Sequence, residues 1–168
     1  MITILRLVHV VGGVFWVGTM LFFAIFLEPS MREAGPAAAK ISEGLMKRGY
    51  MVAMPIIALL VIVSGIWMMW IVSGHFTPQW MGSPMGRALS AGMTLSIITF
   101  GIGVGVVRPT MNKTVAMGQA VAQLPEGAEK TAQMTALQAL RRRGTMWLRV
   151  VASLLAVVAS LMAVARYL

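Results

Sequence analysis

The stretch LRLVHVVGGVFWVG, Leu5–Gly18, places a histidine inside an otherwise apolar run near the start of the chain. Apolar residues continue to Leu27, which gives about the 20 positions that a helix needs to cross the hydrocarbon core of a bilayer. The run is longer than the apolar core of a signal peptide and lacks a convincing small-x-small cleavage site, so we interpret it as a retained membrane helix. His9 is therefore expected to lie in hydrocarbon.

Composition extends this interpretation to the whole chain. Of the 168 residues, 58% are hydrophobic and 11% are charged, whereas a soluble domain carries about 25% charged residues. The absence of cysteine excludes disulfides, iron–sulfur clusters and thiolate metal sites. Each lipid-facing span must satisfy its own backbone hydrogen bonds, so we predict an all-α fold, an integral membrane four-helix bundle that forms one domain over residues 1–168. The predicted spans are 2–27, 50–73, 89–107 and 146–168.

The formal charge of +9 is distributed as a membrane topology would require. Most basic residues lie between spans one and two or between spans three and four, and few lie on the other side. The positive-inside rule then predicts that both long connections are cytoplasmic and that both termini lie outside a bacterial-type inner membrane. Contact with anionic lipid agrees with this role, and nucleic-acid binding is not expected. The inner set is Arg32, Lys40, Lys47, Arg48, Arg108, Lys113, Lys130 and Arg141–Arg143, and the outer set is Arg6, Arg87 and Arg166.

The connection between spans three and four, residues 112–145, is too long for a simple turn. Its two arms are rich in alanine, glutamine, methionine and leucine, which favour helix, and Leu124-Pro125-Glu126-Gly127 marks a break between them. We therefore predict a cytoplasmic helical hairpin that extends spans three and four beyond the bilayer.

His9 is the strongest candidate for a functional residue, because an ionisable side chain in a membrane span is costly unless it is paired. A neutral histidine bonded to a neighbouring helix is the structural alternative. Arg6 lies one turn toward the outer end, Gly12 and Gly13 remove bulk from the same face, and Trp16 follows at the next turn. This order of groups (a cation, an imidazole, bare backbone and an aromatic ring) suits haem b. His9 would bind the iron, and Arg6 would bind a propionate.

Four methionines are candidates for the opposing ligand, because antiparallel threading places them at a depth similar to that of His9. Thioether sulfur is a haem ligand and also a soft ligand for Cu(I), although methionine also serves as flexible core filler. His75, in the outer loop after span two, is a further candidate if the loop folds back above His9; otherwise it is an interfacial residue. The four methionines are Met68, Met69, Met93 and Met162.

Three further features have local interpretations. Pro55 is expected to kink span two and to release the carbonyl of Met51 from helical hydrogen bonding. The glycines of GIGVG, Gly101–Gly105, are interpreted as sites of close helix packing, either within the bundle or between protomers. Glu28 and Arg32, four residues apart, are expected to pair locally.

The first two spans resemble a known family. LVHVVGGVFWVGTMLFFAIFLEPSMR, Leu7–Arg32, resembles the first helix of the copper-resistance D (CopD) superfamily, with its histidine, its aromatic–small–glycine step and a proline after the apolar run. MKRGYMVAMPIIALLVIVSGIWMMW, Met46–Trp70, is similar to the second helix of HemJ-type protoporphyrinogen oxidases in that superfamily. The resemblance implies four helices, haem b on His9 and membrane redox chemistry. This chain has Glu28-Pro29-Ser30 where the HemJ group carries an arginine beside the proline.

The leading functional hypothesis is a small haem b membrane protein that transfers electrons, with the quinone pool or a redox partner at the outer face. A haem-dependent membrane oxidoreductase would be its enzymatic form. Two functions from other classes are also consistent with the residues: copper uptake or tolerance through His9 and the methionines, and a cofactor-free membrane assembly subunit. A homo-oligomer would allow a protomer interface to supply the missing ligand.

Overall fold

The computed structural model describes residues 2–168, and every regular element in this range is helical. Four helices are long, and three of them contain or end in a segment that is not α-helical. Helix α1, Ile2–Glu33, contains a π-helical turn at Phe23–Leu27; α3 is Tyr50–Val72; α5, Pro84–Ala122, contains a second π turn at Gly103–Val107; and α6, Ala128–Tyr167, ends in a 3₁₀ turn at Ala165–Tyr167. The shorter elements are a 3₁₀ turn at Gly35–Ala37, α2 at Ala38–Lys47 and α4 at Pro78–Met81.

All four long helices are sufficiently long and apolar to cross a membrane, which confirms a membrane protein built from four helices. The second predicted span, 50–73, agrees with α3 to within one residue. The third begins five residues earlier than predicted, because Pro84 occupies the first helical position and the Ser83 hydroxyl accepts a hydrogen bond from the Gly86 backbone N–H at 3.0 Å. Beyond the apolar stretches, α5 continues to Ala122 and α6 begins at Ala128, so the only interruption lies at residues 123–127.

The bundle is closed by contacts between neighbouring helices. Helix α1 packs on α3 and α6, α3 packs on α5, and α5 packs along α6. The core at their centre is formed by apolar residues at helical spacing, and Leu155 on α6 is fully buried. Many large apolar side chains on the outer faces of α1 and α3 are exposed, as expected for surfaces that meet lipid rather than water. The residues of these three helices in the core cluster are Trp16, Met20, Phe23 and Ala24 on α1, Met54, Ala58 and Val61 on α3, and Leu148, Val151, Ala152 and Leu155 on α6.

The glycines of GIGVG do not mediate close packing within the chain. A Cβ atom added to Gly101, Gly103 or Gly105 would meet no other heavy atom within 4 Å. Two of the three belong to the π turn Gly103–Val107, in which the helix is widened by one residue. The prediction of close packing inside the bundle is therefore wrong, and these glycines border open space.

The predicted local pair between Glu28 and Arg32 is also not formed. Glu28 instead contacts α6, where the Thr145 hydroxyl donates to its Oε1 at 2.8 Å and Arg149 Nη2 lies 3.9 Å from its Oε2. Among the described residues, the buried Oε2 has no hydrogen-bond partner. The position of Glu28 on α1 allows it to pair with Arg32 or with residues of α6. Only the contacts with α6 join two helices of the bundle.

Replacing Thr145 with valine is expected to destabilise the protein by about 1.5–3 kcal/mol, because it leaves a buried carboxylate without its hydrogen-bond donor. The measurement is the free energy of unfolding in a denaturing detergent titration. Thr135→Val is the matched control: this threonine is exposed on the same helix and bonds only to the Thr131 carbonyl. The control is expected to change stability by less than about 0.5 kcal/mol. Equal effects for the two variants would contradict the role assigned to Glu28.

Candidate functional site

His9 joins α1 to α3 through its imidazole ring. Its Nδ1 lies 2.8 Å from the carbonyl oxygen of Val61 and 3.5 Å from the Ser64 hydroxyl oxygen. A carbonyl oxygen can only accept a hydrogen bond, so Nδ1 carries the proton and donates a hydrogen bond to the Val61 carbonyl oxygen. In the neutral ring, Nε2 then carries the free lone pair. Metal-ligating histidines commonly have this arrangement, in which a backbone carbonyl fixes the tautomer and the orientation of the ring.

The ring lies against a notch on α3 formed by Gly65. A Cβ atom at this position would lie 2.7 Å from His9 Cε1 and 3.1 Å from Nδ1, so no side chain larger than hydrogen fits beside the imidazole. His9 as a whole is partly buried, and its Nε2 would lie 3.7 Å from the same Cβ. The notch therefore holds the ring against α3.

Gly12 and Gly13 lie at the contact between α1 and α3. A Cβ at Gly12 would lie 2.8 Å from Val61 Cγ2, and one at Gly13 would lie 4.0 Å from Val61 Cγ1. The valine of α3 thus fills the space that the sequence suggested for the edge of a macrocycle. These glycines allow α1 and α3 to approach closely, and this approach places the Val61 carbonyl within reach of His9.

Arg6 and Trp16, which we predicted to share one surface of α1 with His9, lie at different depths along the helix. Arg6 is exposed and borders an open groove with Ile4, Leu7 and Val10, which does not include His9. Trp16 is 6% exposed and lies in the core two turns deeper than His9. Arg6 is thus exposed near the N-terminal end of α1, whereas Trp16 lines a separate cavity.

The four methionines predicted as opposing ligands lie on α3, α5 and α6. Within residues 2–168, none of the hydrogen bonds of His9 involves a methionine sulfur. Met162 packs on α5, where its Cε would lie 2.8 Å from a Cβ at Gly92. Met69 is buried, and Met68 and Met93 are partly buried.

His75 is exposed and packs against Trp70 at the end of α3, with ring centroids 4.3 Å apart and ring planes tilted by 46°. Its backbone has a φ of +67°, in a run of left-handed residues that reverses the chain after α3. Within residues 2–168, no side-chain hydrogen bond joins it to His9.

In the described part of the chain, no three histidine, cysteine, aspartate or glutamate side chains converge as a metal site would require. A single imidazole with a free Nε2 is instead suited to be an axial ligand of a cofactor that supplies its own equatorial donors. Haem is such a cofactor, since the porphyrin contributes four nitrogens and the protein supplies the axial positions.

Sequence reasoning missed the partners of His9 on α3: Val61, Ser64 and Gly65. The available signal was the Ser64-Gly65 pair, two small residues in an otherwise bulky apolar helix, which is a pattern typical of helix contact sites in membranes. The pattern alone does not indicate which helix occupies the notch.

Comparison with protein-family models, with curated proteins and with solved structures finds no match to this chain. The assignment of function therefore rests on the residues and their geometry.

Proposed function

We propose that this chain is an integral membrane haem b protein that transfers electrons, with His9 as an axial ligand of the iron. The observation that carries the proposal is the 2.8 Å hydrogen bond from His9 Nδ1 to the Val61 carbonyl. In the neutral ring it places the proton on Nδ1 and the lone pair on Nε2, and it adds electron density to the ring, which strengthens the imidazole as a ligand. When bound, haem would supply a one-electron redox centre.

The residues present fit the axial end of this cofactor. In its neutral form His9 has the tautomer that a metal ligand through Nε2 requires, its ring is held by Gly65 and the Val61 carbonyl, and the residue is only partly buried. The interface between α1 and α3 has no room for the macrocycle, because Val61 fills the space beside Gly12. The macrocycle would therefore lie outside the contact between these two helices.

Arg6 supports the proposal from the outer end of α1. Its guanidinium is exposed one turn from His9, and no ion pair involves it within residues 2–168. A propionate carboxylate is the partner expected for such a group, because guanidinium binds carboxylates through paired hydrogen bonds. A second ligand would come from a methionine or from a group of a second copy of the chain.

We further propose that the break at residues 123–127 lies in the cytoplasm and that both termini lie outside a bacterial-type inner membrane. The supporting observation is the distribution of basic residues. They concentrate in α2, in the adjoining turns and in the arms of α5 and α6 that flank the break, whereas the opposite end carries only Arg6, Arg87 and Arg166.

Because the chain has no cysteine, single cysteines report this orientation without a background signal. Gln79 and Gln123 are exposed at opposite ends of the bundle. In intact cells, a membrane-impermeant maleimide is expected to label Gln79→Cys within minutes and Gln123→Cys only after lysis. The opposite order of labelling would mean that the topology is the reverse of the one proposed. Labelling of both variants in intact cells would contradict a membrane-spanning bundle.

Absorption spectroscopy tests the proposed function directly. Protein purified in mild detergent, after expression with adequate haem supply, is expected to show a Soret band and a reduced-minus-oxidised α band at about one haem per chain. A colourless protein under these conditions would refute the haem assignment. Metal analysis of that same sample would then distinguish a copper protein from a cofactor-free assembly subunit.

A further inference from the structure

Three of the four long helices depart from regular α geometry at one internal cavity. The π turn of α1 contributes Phe23, Pro55 interrupts the hydrogen bonding of α3, and the π turn of α5 contributes Gly103, Val104 and Val107. A π turn costs helix stability and is found frequently at functional sites, and proline removes one helical hydrogen bond. Irregularities in three helices at one location indicate that the cavity is a functional feature and not a packing defect.

The walls of this cavity combine flat aromatic surfaces with adaptable side chains. Trp16, Phe23, Tyr50 and Phe100 provide the rings, and Phe23 stacks on Tyr50 with centroids 5.8 Å apart. The open volume is about 80 Å³, which is less than the roughly 150 Å³ of an engineered protein cavity that binds benzene. A ring therefore enters only if the wall yields, and methionine side chains can do this because they are unbranched and flexible. The methionines of the wall are Met20, Met51, Met54 and Met111.

The polar groups of the wall are mainly hydrogen-bond donors. The Tyr50 hydroxyl has only a weak contact to the Met20 sulfur at 4.0 Å. Arg108 takes part in none of the ion pairs or side-chain hydrogen bonds found within residues 2–168. No acidic side chain lines the cavity. A matching ligand is thus a flat ring that carries hydrogen-bond acceptors and no positive charge.

From these features we infer that the cavity binds the head group of a lipid-soluble 1,4-quinone. The two ring carbonyls accept hydrogen bonds from the Tyr50 hydroxyl and the Arg108 guanidinium, the ring lies among the aromatic side chains, and the tail extends into lipid. A fatty acid would satisfy Arg108 but would leave the aromatic walls without a function. The inference does not depend on haem, because His9 does not line the cavity.

The test is titration of the purified protein in lipid nanodiscs with decyl-substituted 1,4-benzoquinone, followed by tryptophan fluorescence. Saturable quenching is expected, and Trp16→Phe should remove most of its amplitude because the other four tryptophans lie outside the cavity. Tyr50→Phe keeps the ring and removes the hydroxyl, so the dissociation constant should rise about 2- to 13-fold, the range for one net hydrogen bond.

A matched pair of glycine variants distinguishes the cavity from the lipid phase. Gly103→Leu places a side chain at a position that lines the cavity and should abolish saturable quenching, whereas Gly101→Leu, two residues earlier and outside it, should preserve it. Equal thermal stability of the two variants would show that both are folded. Linear quenching identical in all variants would overturn the inference. So would displacement of the quinone by decanoate at equal concentration, which would indicate a site for acidic amphiphiles.

Discussion

Replacement of His9 with alanine is expected to abolish the Soret and α bands of the purified protein. His9 is the only histidine on α1, and its hydrogen bond from Nδ1 to the Val61 carbonyl leaves the lone pair of the neutral ring on Nε2. Alanine removes the ligand and adds no bulk, so α1 and α3 can keep their contact through Gly12. Haem content, measured per chain by the pyridine haemochrome method, should fall at least tenfold.

The second histidine of the chain provides the matched control. His75→Ala should retain the full haem content, because this residue packs against Trp70 at the end of α3 and shares no hydrogen bond with His9. Addition of free imidazole should partly restore the bands in His9→Ala and leave His75→Ala unchanged. Bands of full intensity in His9→Ala would assign the haem to other residues and would refute the proposed ligand.

The helices could be predicted from the sequence because their signals are local. Hydropathy located each apolar stretch, and Leu124-Pro125-Glu126-Gly127 located the interruption between α5 and α6. The start of α5 was missed by hydropathy, although Ser83-Pro84 carries a recognisable capping pattern. The two π turns have no comparable local signal, since their sequences, FAIFL and GVGVV, are ordinary apolar runs. Packing against neighbouring helices decides such turns, and a single sequence does not reveal that packing.

The site could be predicted only in part, for the same reason. His9 was identifiable because an ionisable residue inside a membrane span is unusual wherever it lies. Its partners depend on the register between α1 and α3, which is set by the fit of Val61 against Gly12 across the interface. A change of register by one residue would bring a different carbonyl to the imidazole. Glu28 illustrates the same limit, because its local partner Arg32 was apparent from spacing, whereas Thr145, far along the chain, was not.

The second large effect is expected from a substitution of Gly65, which forms the notch on α3 that holds the His9 ring. Gly65→Ala places a methyl group 2.7 Å from His9 Cε1, closer than a relaxed Cβ contact, and 3.1 Å from Nδ1. The imidazole can turn away about its side-chain torsions, but it then loses the hydrogen bond to Val61. We expect most of the haem absorbance to be lost, with a decrease in the free energy of unfolding of only about 0.5–1.5 kcal/mol, the net value of one hydrogen bond.

Gly18→Ala is the control for the change in helix propensity, because a Cβ at this exposed position on α1 meets nothing within 4 Å. It should leave the bands intact.

A double-mutant cycle then separates the effect on His9 from general overpacking. If Gly65 serves to seat the imidazole, Gly65→Ala should cost almost no stability in the His9→Ala background, because the methyl group occupies the space that the ring has vacated. An equal loss of stability in both backgrounds would mean that Gly65 is required for the contact between α1 and α3 and not for the orientation of His9.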